Sequence, residues 1–269
     1  MAEGRIPVSV GILTLNSASW LAPTLENLAD FSDVYICDGN STDGTQELAR
    51  RMGVRVEKQF DNDEPNQRIK SFGEARTRCM SFAKEPWSLR VDSDELISQD
   101  LKNEIRRIVH ESEPEFFAYK IARKYLWMGK VIDRCITYPN WQPRFFHRSV
   151  LLGYSKATHE RPELVPGVTY GRLTQAQLVP LPDDYAAFWK KFENGLYFDK
   201  IQHKNVSFYS WVYGTVHTAA WLIIYTWRLF WSRVLPGNKL PLEFEFARFK
   251  YLMKVWLLTT RFFFQKKTL

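Results

Sequence analysis

Residues 33–45 read DVYICDGNSTDGT: a short strand-forming run, Asp33–Cys37, that stops abruptly at Asp38-Gly39-Asn40-Ser41-Thr42-Asp43-Gly44. Hydrophobic spacing then turns helical, from Thr45 through Leu48 and Met52, and a third strand is predicted at Val54–Glu57. Upstream, Val8–Leu15 is a β-branched apolar run, and Trp20–Ala29 carries helical spacing at Leu21, Leu25 and Leu28. Downstream, Arg68–Ala83 reads as helix and Trp87–Val91 as another strand, ending at Asp92-Ser93-Asp94-Glu95. Asp100–His110 is amphipathic, and Phe116–Tyr125 and Gln142–His147 read as sheet. Strands alternating with helices predict an α/β, Rossmann-like fold, a mixed and mostly parallel sheet with helices on both faces.

Two acidic clusters, Asp38…Asp43 and Asp92-x-Asp94-Glu95, each follow a predicted strand. In open α/β sheets ligands bind at the carboxyl ends of strands. Carboxylates gathered there suit a hard cation, which takes oxygen ligands and neutralises a diphosphate. A solvated turn or a helix N-cap uses the same residues, and Asp43 in particular suits a cap for the helix after Gly44. The first strand–helix turn, Asn16-Ser17-Ala18-Ser19, lacks G-x-G-x-x-G, which argues against a nicotinamide-dependent oxidoreductase.

Over Val8–Glu160 the ordered pieces are Thr14 and Asn16, DGNSTDGT at Asp38–Thr45, G-x-A-R at Gly73–Arg76, W-x-x-x-x-D-S-D-E at Trp87–Glu95, Q-x-R-F-F at Gln142–Phe146, and His159-Glu160. Together they resemble the family 2 glycosyltransferases of the GT-A fold, closest to small bacterial transferases of lipopolysaccharide core and surface polysaccharide. The resemblance implies an inverting, metal-dependent transferase with a nucleotide-sugar donor, a UDP-sugar by family habit. It places Asp38, Thr14, Asn16 and Arg76 around the nucleotide, and Asp92 on ribose or metal. Asp94 becomes the main ligand of Mg²⁺ or Mn²⁺, Gln142 and Arg144 line the sugar pocket, and Glu160 is the general base. His159 orients Glu160, touches the acceptor or packs. A surface ion pair with Arg161 is the plainer reading of Glu160, and an amphipathic surface position that of Arg76. Relatives carry a further histidine after the His-Glu pair that is missing from Thr174–Pro180. Gln177, Lys190 or Lys191 are the substitutes at hand.

Composition changes after about Asp199. Phe208–Trp231 is apolar and aromatic, Leu235-Pro236-Gly237-Asn238 makes a turn, and Glu243–Phe264 is helical. The expected organisation is a GT-A domain over 1–200 and a membrane-associating helical hairpin over 201–269. The net charge is +7, Trp numbers 10, and from Arg228 onward nine basic residues face two acidic ones. Basic charge interleaved with aromatics on apolar helices matches an interfacial membrane anchor better than nucleic-acid binding. The plainer reading is packing on the catalytic domain or a second subunit. Cys37, Cys79 and Cys135 form no C-x-x-C pair, and Met1–Pro7 shows no signal peptide. The expected place is the cytoplasmic face of the inner membrane, with a lipid-linked saccharide as acceptor. Transfer onto polyprenyl phosphate and an inactive transferase-like binding protein are the rivals.

Overall fold

The computed structural model describes residues 4–155, 160–193 and 206–265. Two compact units emerge: Met1–Arg123 with Pro139–Pro180, and Lys124–Tyr138 with Leu181–Leu269. The sequence expectation divided the chain at residue 200, on a change of composition. The second unit instead starts at Leu181 and takes in Lys124–Tyr138, a segment whose composition does not set it apart.

The first unit opens with β1 (Ile6–Thr14), α1 (Ala18–Asn27), β2 (Phe31–Asp38), α2 (Thr45–Arg51), β3 (Arg55–Lys58), α3 (Phe72–Ser81) and β4 (Trp87–Arg90). Next come β5 (Leu96–Ile97), α4 (Gln99–Val109), β6 (Ala118–Trp127), whose residues from Lys124 count with the second unit, β7 (Lys130–Val131), which also counts with the second unit, and β8 (Asn140–His147). The strands β9 (Leu151–Ser155), β10 (Arg161–Leu164) and β11 (Gly171–Pro180) complete it. The main sheet runs β3-β2-β1-β4-β8-β6-β11-β5. Its first four strands are parallel, and β8 then pairs antiparallel to both β4 and β6. The sheet is therefore mixed, as expected.

Strand alternation shows that both faces are covered. Ile36 joins the core that holds Leu21, Leu25, Leu101 and Ile105 of α1 and α4, whereas its neighbours Tyr35 and Cys37 pack with Cys79 of α3. Successive strand residues point to opposite faces, so α3 lies across the sheet from α1 and α4. Phe145 and Phe146 divide between two clusters in the same way. The approach of α3 depends on Gly11, where an added Cβ would meet Tyr35 Oη at 2.8 Å and Cys79 Sγ at 2.9 Å.

In the second unit, α5 (Tyr185–Glu193) is followed by the expected helical hairpin, α6 (Phe208–Val234) and α7 (Leu242–Gln265). Its core joins Ile132, Phe188, Trp189, Leu240, Phe244 and Ala247. Among the described residues no helix is long and apolar enough to cross a membrane.

Candidate active site

The carboxyl end of β2 is built around Asp38, which is 1% exposed. Its Oδ2 accepts from Thr14 Oγ1 at 2.8 Å and Ser41 Oγ at 2.7 Å, and Oδ1 accepts from the Ser41 N–H at 2.7 Å and Gln46 Nε2 at 2.9 Å. Four donors satisfy the carboxylate, so its first task is to shape the 38–45 loop. Asn16, in the left-handed region at φ 49, accepts from the Thr42 N–H and donates its own N–H to Ser41 Oγ. The structure thus brings Thr14 and Asp38 into direct contact and links Asn16 to them by way of Ser41. Gly39 lets the loop pass tightly, since a Cβ there would lie 2.8 Å from the Gln67 carbonyl. Asp43 accepts from the N–H groups of Thr45 and Ala18, tying the starts of α1 and α2 together. Gly44, not Asp43, is the N-cap of α2, so Asp43 braces the two helix starts from one residue outside the cap.

The end of β4 is an arginine–carboxylate cluster. Asp92 takes Arg76 of α3 on Oδ1 at 2.5 Å and Arg144 of β8 on Oδ2 at 2.9 Å. Burial alone would raise the Asp92 pKa, but Arg144, Arg76 and Arg90 together hold it well below the usual carboxylate range. Glu95, fully buried, accepts from Gln177 Nε2 at 2.6 Å and pairs with Arg123; burial and the Asp92 charge push its pKa up. Glu160 meets Arg90 at 2.5 Å and lies 3.8 Å from Arg76 Nε. Burial, with repulsion from Arg76 and Arg144, brings the Arg90 pKa down to about 10. Although salt-bridged, these guanidiniums keep donors in reserve. Nε of Arg76, Arg90, Arg123 and Arg144, and Nη1 of Arg144, are buried with no hydrogen-bond partner.

Asp94 is half-exposed in the turn after Asp92, and that turn is fastened to α1 by Thr24 Oγ1 donating to the Ser93 carbonyl. Gln142 pairs with Ile121 of β6, and a β-bulge in the β6–β8 pairing separates it from Arg144, so the two do not share a face by simple alternation; its amide donates to Asn140 Oδ1 at 2.9 Å. Gln177 is fully buried, and its Nε2 donates to Glu95. Lys190 lies on α5 in the second unit. His159 and the Lys191 side chain lie outside the described residues. Sequence reasoning missed Arg90 and Arg123 as site residues and gave Glu95 no role beyond its place in the acidic cluster. Arg90 had a signal: a charge two positions before Asp92 on an apolar strand faces the same side and needs a partner.

Among the described residues no three His, Cys, Asp or Glu side chains form a ready-made metal cage. Asp92 has both oxygens on arginines and Glu95 is buried, whereas Asp94 is the half-exposed carboxylate of the turn. That fits a cation of the Mg²⁺ type, which keeps waters and takes one or two carboxylates plus substrate phosphates.

A model of glycosyl transferase family 2 matches residues 9–159, more than half of the chain, and spans both clusters. The chain belongs to glycosyl transferase family 2. The lipopolysaccharide core biosynthesis glycosyltransferase LpsC of Rhizobium meliloti is 23% identical over 129 residues, 46% of this chain and 45% of that protein. A glycosyltransferase of Rickettsia prowazekii is 27% identical over 143 residues, 52% of this chain and 46% of the relative. This family 2 chain therefore spans less than half the length of these curated relatives. Among solved structures, S. aureus TarS 1–349 aligns at 15% identity and a TM-score of 0.45, covering 70% of this chain and 66% of that one.

Proposed function

We propose that the protein is an inverting glycosyltransferase that moves a sugar from a nucleoside-diphosphate sugar, a UDP-sugar, to a lipid-linked saccharide at the cytoplasmic face of a membrane, in lipopolysaccharide or surface-polysaccharide synthesis. The observation that carries it is the set of buried, unpartnered guanidinium donors at the end of β4, beside the Asp92–Asp94 turn. Buried N–H groups without partners are costly, and a phosphate or carboxylate is the ligand that repays them. Arg76 and Arg144 are assigned to the donor through Asp92, Thr14, Asn16 and the Asp38 loop to the nucleoside, and Gln142 to the sugar. Asp94 would hold Mg²⁺ or Mn²⁺, which neutralises charge on the departing diphosphate. Glu160 is assigned as the base that removes the acceptor hydroxyl proton, with Arg90 fixing it in place. A thermal-shift panel of UDP with Mn²⁺, GDP with Mn²⁺, and NADH tests the class. UDP with Mn²⁺ is expected to raise the melting temperature most, and a shift with NADH alone would overturn the reading.

Membrane association rests on α6. Its outward residues Tyr209, Tyr213, Val216, Ala220, Ile223, Trp227, Phe230 and Val234 recur at spacings of three and four, a single stripe with no charged side chain. Ile223 is 72% exposed and Trp227 63%. At least five of the nine basic residues expected to face lipid make contacts inside the second unit. Arg228 donates to the Ile136 carbonyl, Arg233 to that of Leu240, and Arg248 to Tyr125, while Lys254 pairs with Glu193 and Lys250 sits 4.1 Å above the Trp189 ring. The proposed membrane contact is thus apolar and aromatic rather than electrostatic.

A further inference from the structure

The hairpin of the second unit encloses a cavity of about 510 Å³ between α6 and α7, within the roughly 300–1,000 Å³ range of small-molecule sites. Trp211, Gly214 and His217 of α6 face Tyr251, Val255 and Trp256 of α7, and no charged side chain lines the space.

The indole N–H groups and several hydroxyls in and beside this wall are committed to one another. Trp211 Nε1 donates to Thr260 Oγ1 at 3.0 Å, and Trp256 Nε1 to Thr215 Oγ1 at 3.1 Å. Trp221 Nε1 donates to His217 Nε2 at 3.0 Å, and Thr259 Oγ1 to the Val255 carbonyl at 2.8 Å. A saccharide stripped of water needs uncommitted donors and acceptors around it. This wall offers mostly ring faces and methyl groups, with the hydroxyls of Tyr209 and Tyr213 at its border and of Thr218 within it. Tyr209 and Tyr213 border the cavity and also stand on the uncharged outer stripe of α6, so the space opens onto the surface assigned to the bilayer.

We infer that this cavity takes a single hydrocarbon chain of a membrane lipid, drawn in past Tyr209 and Tyr213. The supply of that ligand rests on the membrane-docking reading; the chemistry of the wall does not. Gly214 gives a direct probe, because a Cβ there meets nothing within 4 Å. Gly214→Leu fills the space and also replaces a poor helix former. Val255→Trp fills it from α7.

The test delivers a diazirine-bearing fatty acid from cyclodextrin to the full-length chain, followed by illumination and peptide mapping. Wild type and Gly214→Ala are expected to label within 209–218 and 251–259. Gly214→Leu and Val255→Trp should lose roughly ten-fold of that label, a change that needs only about two methylenes' worth of lost burial. Should one large variant melt early, the other decides. Label that is absent in wild type, persists in a well-folded large variant, or sits only on Ile223–Val234 overturns the proposal. Because no bilayer and no turnover are involved, such a failure is separate from a failure of vesicle docking or of sugar transfer.

Discussion

Glu160 reaches both Arg90 and Arg76 through Oε1, which makes Oε2 the oxygen assigned to the acceptor proton. Glu160→Gln keeps the shape but removes the base. Transfer should fall by roughly 10²–10⁴-fold, the usual contribution of a positioned base, while calorimetry still shows donor binding. Loss of donor binding together with activity would recast Glu160 as a structural clamp for the arginines, and full activity would pass the role to another carboxylate, Glu163 first. At this scale the sequence was legible where a charge stood against its surroundings. Arg144 on an aromatic strand demanded a partner and found Asp92. Gln177 was misleading, because its position relative to missing family histidines says nothing of which way a β11 side chain points; the structure turns it inward to Glu95.

Elements were read from periodicity, and the strands and helices that flank the two acidic clusters stand close to where hydrophobic spacing put them. Less legible was the start of α7, where Glu245 is 1% exposed and accepts from the Ile136 N–H at 3.1 Å. Helical spacing shows that Glu245 is on the helix but not that a distant loop closes over it. Burial outweighs the Ile136 bond and the nearby Arg233 and Arg248, pushing the Glu245 pKa from 4.5 to about 7. The folded state therefore binds a proton that the unfolded chain has released, so stability falls as pH rises from about 4.5 to about 7 and levels off above. The expected loss is on the order of 3 kcal/mol at most. Melting of the helical signal from pH 4.5 to 8 should show this slope in wild type and a flatter one in Glu245→Gln. Identical slopes would show that Glu245 does not titrate in that window.

For the whole molecule, composition located the helical tail but not the discontinuous second unit, since nothing in Lys124–Tyr138 marks it as belonging with residues beyond Leu181. A count of basic residues also says nothing of where they point: Arg228 and Arg233 turn onto carbonyls inside the unit and Lys254 is paired with Glu193. The apolar stripe of α6 predicts sedimentation with anionic and with neutral liposomes alike, persisting at high salt, where charge-driven binding is screened. Binding that vanishes in salt would restore the electrostatic anchor, and no binding to either would leave the stripe as a contact between protein surfaces. The central claim, donor chemistry at the end of β4, is tested most directly by Mn²⁺-dependent release of nucleotide from a panel of nucleotide sugars, comparing wild type with Asp94→Asn. Wild type is expected to release UDP from at least one UDP-sugar only when Mn²⁺ or Mg²⁺ is present, with Asp94→Asn folded but inactive. Turnover in Asp94→Asn equal to wild type, or wild-type release that ignores the metal, would contradict it.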